Sequence, residues 1–303
     1  MTYNSALVVY KKSMYELYTD EKKADRVTKS YVDTQPSLKE SYEIQRKTID
    51  SVLTALTKNG ITHKEIHRAD LAKEVLSAYD IIVSVGGDGT LLEVSHYVTS
   101  TPILGVNSDP QRSVGFFTTA TGETIEESIA NLDTLPKTKL SRLQVTRNDE
   151  TLPQLVLNDL LICHANPAGI NRYTLTVDGK AFLRDGTETL RSSGVIISTA
   201  AGSTGWIYEC GGKVMALGSG RMQFHERNQR NSGFHYAREK MKMYSKTREG
   251  KMFIDGEHLR YDFTLGDRLI VGRGEPLNVI GDLRIKRNLF LSKIRGVRDN
   301  GKC

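Results

Sequence analysis

The decamer IIVSVGGDGT at residues 81–90 holds the residues best suited to chemistry. Its apolar half predicts a buried strand, which leads directly into three glycines within four residues. Glycines let a ligand approach the backbone, and successive amides before a helix N-terminus form a cradle for phosphate. Asp88 would repel phosphate, so its presence favours a role in accepting a proton or binding a metal beside a transferred phosphoryl group. The alternative is a tight strand-to-helix turn with Asp88 as its N-cap.

A second candidate stretch is GVNSDPQRSVGFF at residues 105–117. Asn107, Ser108 and Asp109 follow a predicted strand, and two adjacent phenylalanines come shortly after them. One of these rings could stack against a nucleobase. The other interpretation is a surface turn followed by two core aromatics.

Two more stretches place polar or small residues where a ligand could bind. Asn158 and Asp159 stand inside the apolar run LNDLLI, and buried polar side chains need partners. An amide beside a carboxylate could hold ribose hydroxyls or the exocyclic amine of adenine, or could form an Asx turn at a strand end. Residues 198–205, STAAGSTG, follow a β-branched strand and offer hydroxyls and amides, unless they form only a flexible turn.

The elements that must position these residues alternate between strand and helix in the first half. We predict strands over 6–10, 61–66, 81–85 and 103–106, a helix ending at Asn59-Gly60, a short helix around 71–76 and another helix from Leu91. Such alternation predicts a parallel sheet with ligands at the carboxyl ends of its strands.

From about residue 140 the pattern changes to short strands. These are expected over 143–146, 155–157, 173–177, 195–198, 252–254 and 269–271. Asp178-Gly179 and Asp255-Gly256 are typical of hairpin turns. The polar segment 218–236 is expected to be a surface loop or a flap. We therefore predict an α/β domain over 1–140, a β-rich domain over 141–285, and a tail over 286–303 that returns to the first domain.

Composition narrows the class of protein. The 303 residues suffice for two domains, and no apolar run reaches the length of a membrane span. Three scattered cysteines indicate a reducing compartment, without disulfides or a zinc site, and we expect a cytoplasmic protein with no membrane partner. The net charge of +6 is spread among acidic residues, which favours anionic ligands such as nucleotides over nucleic acid.

Together these stretches resemble the NAD kinase family, which phosphorylates the 2′-hydroxyl of NAD or NADH. GGDGT alone is shared with diacylglycerol kinase, sphingosine kinase and phosphofructokinase relatives. The Asn-acid pair at 158–159 and the STxxGST loop at 198–204 single out NAD kinase. Residues 157–173 followed by 191–204 are similar to the plant-type branch known as NADH kinase.

The resemblance implies roles for individual positions. Asp88 matches the residue that activates the 2′-hydroxyl. The cofactor-binding positions implied are Gly87, Gly89, Thr90, Phe116, Asn158, Asp159, Ser193, Thr199, Ser203, Thr204 and Trp206. Three of them depart from the common pattern: Asp159 stands for Glu, Ser193 for the Asp of most bacterial members, and Gly205-Trp206 for an Ala-Tyr pair. The last two changes affect the choice between NAD and NADH.

The resemblance also implies a mechanism and partners. It implies a Rossmann-like α/β domain and a β-rich domain with the nucleotide in a cleft between them, and a homodimer or homotetramer. ATP would be the phosphoryl donor, with a divalent cation, Mg²⁺ being expected, and NADH the preferred acceptor. The alternatives are a lipid kinase that shares GGDGT and a non-catalytic NAD(H)-binding sensor.

Overall fold

The computed structural model describes residues 2–19, 25–229 and 233–300, with side chains described as far as Ser292. The chain divides into two compact units. Residues up to Thr138, together with those from Asn278 onward, form the first unit, and Lys139–Leu277 forms the second. The predicted fold class is confirmed, because the first unit is α/β with a parallel sheet and the second is built mainly of antiparallel strands.

The described part of the chain contains seven α-helices. They are Met14–Thr19 (α1), Arg26–Asp33 (α2), Pro36–Lys58 (α3), Asp88–Ser95 (α4), Ile125–Ala130 (α5), Trp206–Glu209 (α6) and Arg284–Asn300 (α7). Short 3₁₀ helices occupy Arg68–Lys73, Leu76–Ala78 and Gly202–Thr204. Among these helices, none combines the length and the apolar character that a bilayer crossing requires.

The strands divide between the two units. The first ten are Ser5–Tyr10 (β1), Thr62–His67 (β2), Ile81–Gly86 (β3), Ile103–Asn107 (β4), Ala120–Thr121 (β5), Lys137–Arg147 (β6), Glu150–Thr151 (β7), Asp159–His164 (β8), Asn171–Val177 (β9) and Lys180–Ala181 (β10). The others are Leu190–Ser192 (β11), Val195–Ser198 (β12), Met222–Glu226 (β13), His235–Ala237 (β14), Lys240–Ser245 (β15), Gly250–Ile254 (β16), Leu259–Asp262 (β17) and Arg268–Ile280 (β18).

The first unit is organised by a parallel sheet in the order β2-β1-β3-β4. Every residue of β3 and β4 is buried, as expected for strands covered on both faces. Val279, at the end of β18, pairs in parallel with Ile103 and so adds a residue from the far end of the chain to this sheet. The carboxyl ends of β3 and β4 lie side by side, and each leads into a candidate ligand loop.

Helix α3 illustrates how local sequence builds this unit. Pro36 begins it, at a position where a missing N–H costs no hydrogen bond. Its buried side chains recur at helical spacing: Gln45, Thr48, Ile49, Val52, Ala55 and Leu56. The helix ends at the predicted place, since Asn59 is its C-cap and Gly60 has a φ of +70°.

The second unit packs two sheets around one apolar core. One sheet runs β14-β13-β12-β8-β16-β17, entirely antiparallel. The other pairs β10, β9, β15 and β18 in antiparallel order, with β11 on β9 and β6 on β18. The core draws side chains from both sheets, such as Ile162 and Phe224 from the first and Leu175 and Met241 from the second.

Four sequence predictions need correction. Helix α4 begins at Asp88 rather than Leu91, because Gly87 already adopts the extended N-cap conformation. The expected helix near 71–76 is two short 3₁₀ helices. Residues 155–157 form only one bridge, Leu143 to Val156, because the following amides bond to a side chain. The segment 218–236 contains β13 and the start of β14; its residues 230–232 lie outside the described part of the chain.

Candidate active site

Asp88 is fixed by the loop that follows β4. The N–H of Phe116 donates to Oδ2 at 2.9 Å, and the N–H of Phe117 donates to Oδ1 at 2.8 Å. Two such bonds fix the plane of the carboxylate and leave a lone pair on each oxygen for a further donor. The alternative in which Asp88 caps its own helix is wrong, because Gly87 is the N-cap residue.

The glycines of the GGDGT loop serve different purposes. A Cβ on Gly87 would lie 2.9 Å from Ser113 Oγ, a contact that rotation of the Ser113 side chain would relieve. A Cβ on Gly89 would meet nothing within 4 Å, and this residue is exposed. Thr90 is buried, and its Oγ1 finds no hydrogen-bond partner among the described residues. The backbone around Gly89 is therefore the part of the loop open to a ligand.

A pocket of about 200 Å³ in the first unit adjoins the loop at Gly87. Its lining is Lys11, Ser13, Met14, Ser37, Leu38, Ser41, Gln45, Gly87, Asn107, Ser108, Asp109, Arg112 and Ser113. Burial lowers the pKa of Lys11, the charge of Arg68 lowers it further, and Asp109 opposes both. Arg112 lies 3.3 Å from Asp109 and 2.8 Å from Glu40. Two cations and several hydroxyls thus line a pocket beside the cradle.

Helix α7 reaches the loop that holds Asp88. Lys286 Nζ donates to the carbonyl of Gly115 and, at 3.0 Å, to Thr118 Oγ1. The ring of Phe290 packs edge-on against that of Phe116, with centroids 5.2 Å apart. Phe116, predicted to line an adenosine site, is half-buried, so one part of its ring rests on α7 and the remainder is accessible.

In the second unit, Asp255 holds the Asn-acid pair. Its Oδ2 accepts the N–H of Leu157 at 2.8 Å, and its Oδ1 accepts those of Asn158 and Asp159 at 2.7 and 2.9 Å. Asp255 begins the predicted hairpin turn between β16 and β17 at a φ of +51°. This conformation, which Asp tolerates better than most residues, aims its carboxylate at the neighbouring loop.

The STAAGST loop packs directly on the same pair. The N–H of Thr199 donates to the carbonyl of Asn158 at 2.9 Å, and Thr199 Oγ1 donates to that of Leu157. A Cβ on Gly202 would lie 2.1 Å from the backbone carbonyl oxygen of Asn158, so only glycine permits this approach. The structure therefore brings these two predicted motifs into contact.

The hydroxyls of the STAAGST loop differ in how they are used. Thr199 Oγ1 accepts the N–H of Gly202, and Ser203 Oγ donates to Ala200 O and accepts the N–H of Met215. Both residues are buried, so these hydroxyls shape the loop. Thr204 is half-buried.

The side chains of Asn158 and Asp159 are buried and have few hydrogen-bond partners among the described residues. Asn158 Oδ1 is buried and finds no hydrogen-bond partner among the described residues. Asp159 is 8% exposed, and burial, with a smaller effect from the charge of Asp255, raises its pKa to about 7. A buried acceptor and a carboxyl close to half-protonation at neutral pH suit a polar ligand that supplies donors.

Ser193 and Trp206 lie around Arg227. The N–H of Ser193 donates to the Arg227 carbonyl at 3.1 Å, and Asn228 Nδ2 donates to Ser193 Oγ at 3.2 Å. The Arg227 guanidinium stacks 5.1 Å above the Trp206 ring, which is 41% exposed. Ser193 thus bonds to the backbone of Arg227, and the guanidinium of that residue lies on the Trp206 ring.

Comparison with known proteins identifies the family. A model of the ATP-NAD kinase N-terminal domain matches residues 5–134. A probable NADH kinase of Oryza sativa subsp. japonica is 30% identical over 261 residues, covering 77% of this chain and 80% of its own. The NADH kinase of Arabidopsis thaliana is 32% identical over 269 residues, covering 78% and 83%. The chain belongs to the NAD kinase family.

Solved structures share the NAD kinase fold seen here. An NAD kinase from Archaeoglobus fulgidus in complex with ATP superimposes with a TM-score of 0.66 at 23% identity, covering 96% of this chain and 98% of its own. Yeast NADH kinase complexed with NADH gives a TM-score of 0.63 at 13% identity, covering 92% and 84%. The family predicted from GGDGT, the Asn-acid pair and the STxxGST loop is therefore confirmed.

Sequence reasoning missed several residues that hold this NAD kinase site together. Asp255 was taken only as a turn residue, although a hairpin Asp with a positive φ has a carboxylate free to bond elsewhere. The small residues of the STAAGST loop predicted close approach of a ligand, whereas Gly202 permits close approach of the Asn158 backbone carbonyl. Lys11 and Lys286 gave no signal, because single lysines are common on any surface.

Proposed function

We propose that this protein transfers the γ-phosphoryl group of ATP to the 2′-hydroxyl of the adenosine ribose of NAD(H), with NADH preferred. The observation that carries the proposal is the fixed carboxylate of Asp88. This residue begins α4 beside the open backbone of Gly89, and the amides of Phe116 and Phe117 hold its carboxylate. Family membership and the names of the two plant relatives support the choice of substrate.

Asp88 is proposed as the general base. Each of its oxygens retains a lone pair, and one of them would accept the proton of the 2′-hydroxyl as attack on phosphorus develops. Because transition states of phosphoryl transfer are loose, orientation contributes more than basicity. The two amide bonds supply that orientation before any substrate arrives.

The donor phosphates would bind at the amino end of α4 and in the adjoining pocket. Backbone amides around Gly89 and the helix N-terminus favour negative charge. Lys11 and Arg112 add cationic side chains, and the serines of the pocket add hydroxyl donors. The phosphate-binding roles that the family resemblance implies for Gly87, Gly89 and Thr90 are part of this proposal.

A divalent cation fits this site only as a partner of the nucleotide. Among the described residues, no group of three or more His, Cys, Asp or Glu side chains is placed to hold a metal ion. Mg²⁺ commonly binds through one or two carboxylates plus substrate phosphates, and Asp88 is the carboxylate that lies at the cradle. The cation would neutralise charge on the phosphates.

Binding of NAD(H) is assigned chiefly to Asn158 and Asp159. The buried side-chain oxygen of Asn158, Oδ1, could accept a hydrogen bond from the adenine amino group, and the Asp159 carboxyl could bond to ribose hydroxyls. The remaining contacts are proposed for the Phe116 ring and, in the second unit, for Ser193, Thr204 and Trp206. Thr199 and Ser203 would act through the shape of their loop, since their hydroxyls already have partners.

A preference for NADH is supported by charge as well as by the relatives' names. The nicotinamide ring of NAD is positive and that of NADH is neutral. Ser193 is uncharged and gives the positive ring no Coulomb attraction, whereas the acid of most bacterial members would favour it.

The oligomeric and cellular state are also proposals. We propose a homodimer or homotetramer, as the family resemblance implies. The free thiols of Cys163 and Cys210 suit a reducing compartment such as the cytoplasm.

The deciding experiment is a coupled assay. The purified protein is incubated with ATP and Mg²⁺ and with NAD, NADH or diacylglycerol, and NADP(H) or phosphatidate is measured. Formation of NADPH faster than NADP supports the full proposal. Faster NADP formation would refute the NADH preference alone. Tight NADH binding without turnover would favour the sensor, and phosphatidate would favour the lipid kinase.

A further inference from the structure

The turn at residues 115–118 connects Asp88 to the C-terminal helix. Its two central amides, those of Phe116 and Phe117, are the donors that hold the Asp88 carboxylate. Its first residue, Gly115, has a φ of +58°, and a Cβ there would lie 2.7 Å from Asn107 Nδ2. The turn is therefore tightly constrained, and any shift in it moves both donors of Asp88.

Lys286 closes this turn. The Gly115 carbonyl accepts the N–H of Thr118 at 3.2 Å, the hydroxyl of Thr118 at 2.9 Å and the ammonium of Lys286. The ammonium also donates to the Thr118 hydroxyl at 3.0 Å. Lys286 thus links the first and last residues of the turn, at the two sides of the amides that hold Asp88.

The charge of Lys286 bears on the same site. Burial lowers the pKa of Lys286, and the carboxylate of Asp88 opposes that effect. Four residues further along α7, Phe290 packs on the Phe116 ring, so the helix holds both the ends and the middle of the turn.

We infer that Lys286 is a positioning residue for Asp88, acting through the turn at 115–118. This inference rests on the proposed function, in which Asp88 is the general base. Lys286 contacts the turn, whose amides in turn fix the carboxylate. Its loss should therefore reduce the chemical step and leave the binding of both nucleotides nearly unchanged.

The test compares Lys286→Met with Lys286→Arg in the full-length protein. We expect Lys286→Met to lower kcat roughly 10- to 100-fold, since small misplacement of a catalytic group has effects of this size. KM for ATP and for NADH should stay within about twofold. Lys286→Arg keeps the cation and should recover part of the lost kcat.

Two further variants make the result specific. Arg284→Met removes an exposed cation of the same helix, one paired with Asp282, and should leave kcat unchanged. Thr118→Val removes the hydroxyl that Lys286 contacts. The double variant with Lys286→Met should lose less than the product of the two single losses, because the two side chains act on one turn. Thermal unfolding of each variant shows that it is folded.

The outcomes separate the inference from the proposed function. A wild-type protein without NAD(H) kinase activity refutes the function, and the inference falls with it. An active wild type with an equally active Lys286→Met refutes only the role of Lys286. A rise in KM for ATP at constant kcat would also overturn it, because Lys286 would then bind donor phosphates. If Lys286→Met fails to fold, Lys286→Arg is combined with Thr118→Val instead. Losses of kcat that simply multiply in that double variant would overturn the inference.

Discussion

Each of the two units contains an aspartate whose carboxylate accepts neighbouring backbone amides, but the two serve opposite purposes. In the first unit the proposed general base is itself held, because the amides of Phe116 and Phe117 bond to Asp88. In the second unit the holder is the aspartate, because Asp255 accepts the amides of Leu157, Asn158 and Asp159. The same bond fixes a carboxylate in one unit and a backbone in the other.

The difference predicts separate kinetic effects. Changing the held carboxylate should affect the chemical step, whereas changing the holding carboxylate should move the residues assigned to NAD(H) and so affect binding. Four predictions test or sharpen this comparison, from the largest expected effect to the smallest.

Asp88→Asn should have the largest effect. We expect turnover to fall by at least about 10²-fold, the low end for the loss of an acid–base group. Asn is nearly isosteric and keeps one acceptor for the two amides, so binding of NADH, followed by its fluorescence, should change little. Near-normal turnover would remove Asp88 from the chemistry.

Asp255→Asn should affect binding instead. The substitution removes charge from an acceptor of three amides, and lost polar contacts of this kind cost about 1–3 kcal/mol each. We expect KM for NAD(H) to rise at least about tenfold and KM for ATP to stay nearly constant. Asn158→Ala with Asp159→Ala should give the same division.

The control for Asp255→Asn is Glu257→Gln, an exposed change in the same turn, which should leave both KM values unaltered. If KM for ATP rises in the Asp255 or Asn158 and Asp159 variants, the two nucleotides have been assigned the wrong way round.

Asp159→Asn should change how stability depends on pH. The pKa of Asp159 is raised from 3.8 to about 7, so the folded protein binds this proton more tightly than the unfolded chain. The wild type should therefore lose stability as pH rises from about 4 to 7, whereas the variant lacks this loss. Between pH 4.5 and pH 8, the free energy of unfolding of the variant should rise by at least about 1 kcal/mol relative to that of the wild type. Denaturant unfolding of the ligand-free proteins at both pH values measures it, and parallel pH profiles would contradict it.

Ser193→Asp should have the smallest effect. A carboxylate here would attract the positive nicotinamide ring of NAD, to which the Ser193 hydroxyl offers no charge. In a solvated site this is worth under about 1 kcal/mol, so the NAD to NADH ratio of kcat/KM should rise only a few-fold. Steady-state kinetics with both substrates on both proteins decides it. An unchanged ratio would show that Ser193 does not set the preference.

Local sequence was sufficient to predict most elements and to single out the candidate site residues. Strand β3 and the glycines after it predicted the position of Asp88, and Asn158 and Asp159 were conspicuous as polar residues in an apolar run. The bonds that fix these groups were not predictable, because they join distant parts of the chain. Lys286 and Gly115 are 171 residues apart, and Asp255 is 97 residues from Asn158. No spacing rule links such pairs, and a single lysine or turn aspartate has many possible partners.

The division of the chain has a consequence for its synthesis. The first unit is discontinuous, and residues 139–277 are translated between its two parts. Domains generally fold as they emerge, N-terminal parts first. When residues 1–138 have been made, the parallel sheet still lacks Val279, and the turn beside Asp88 still lacks Lys286 and Phe290. The first unit therefore gains the contacts that support the Asp88 turn only after the whole second unit has been translated, so we expect a partly synthesised chain to be inactive as a kinase.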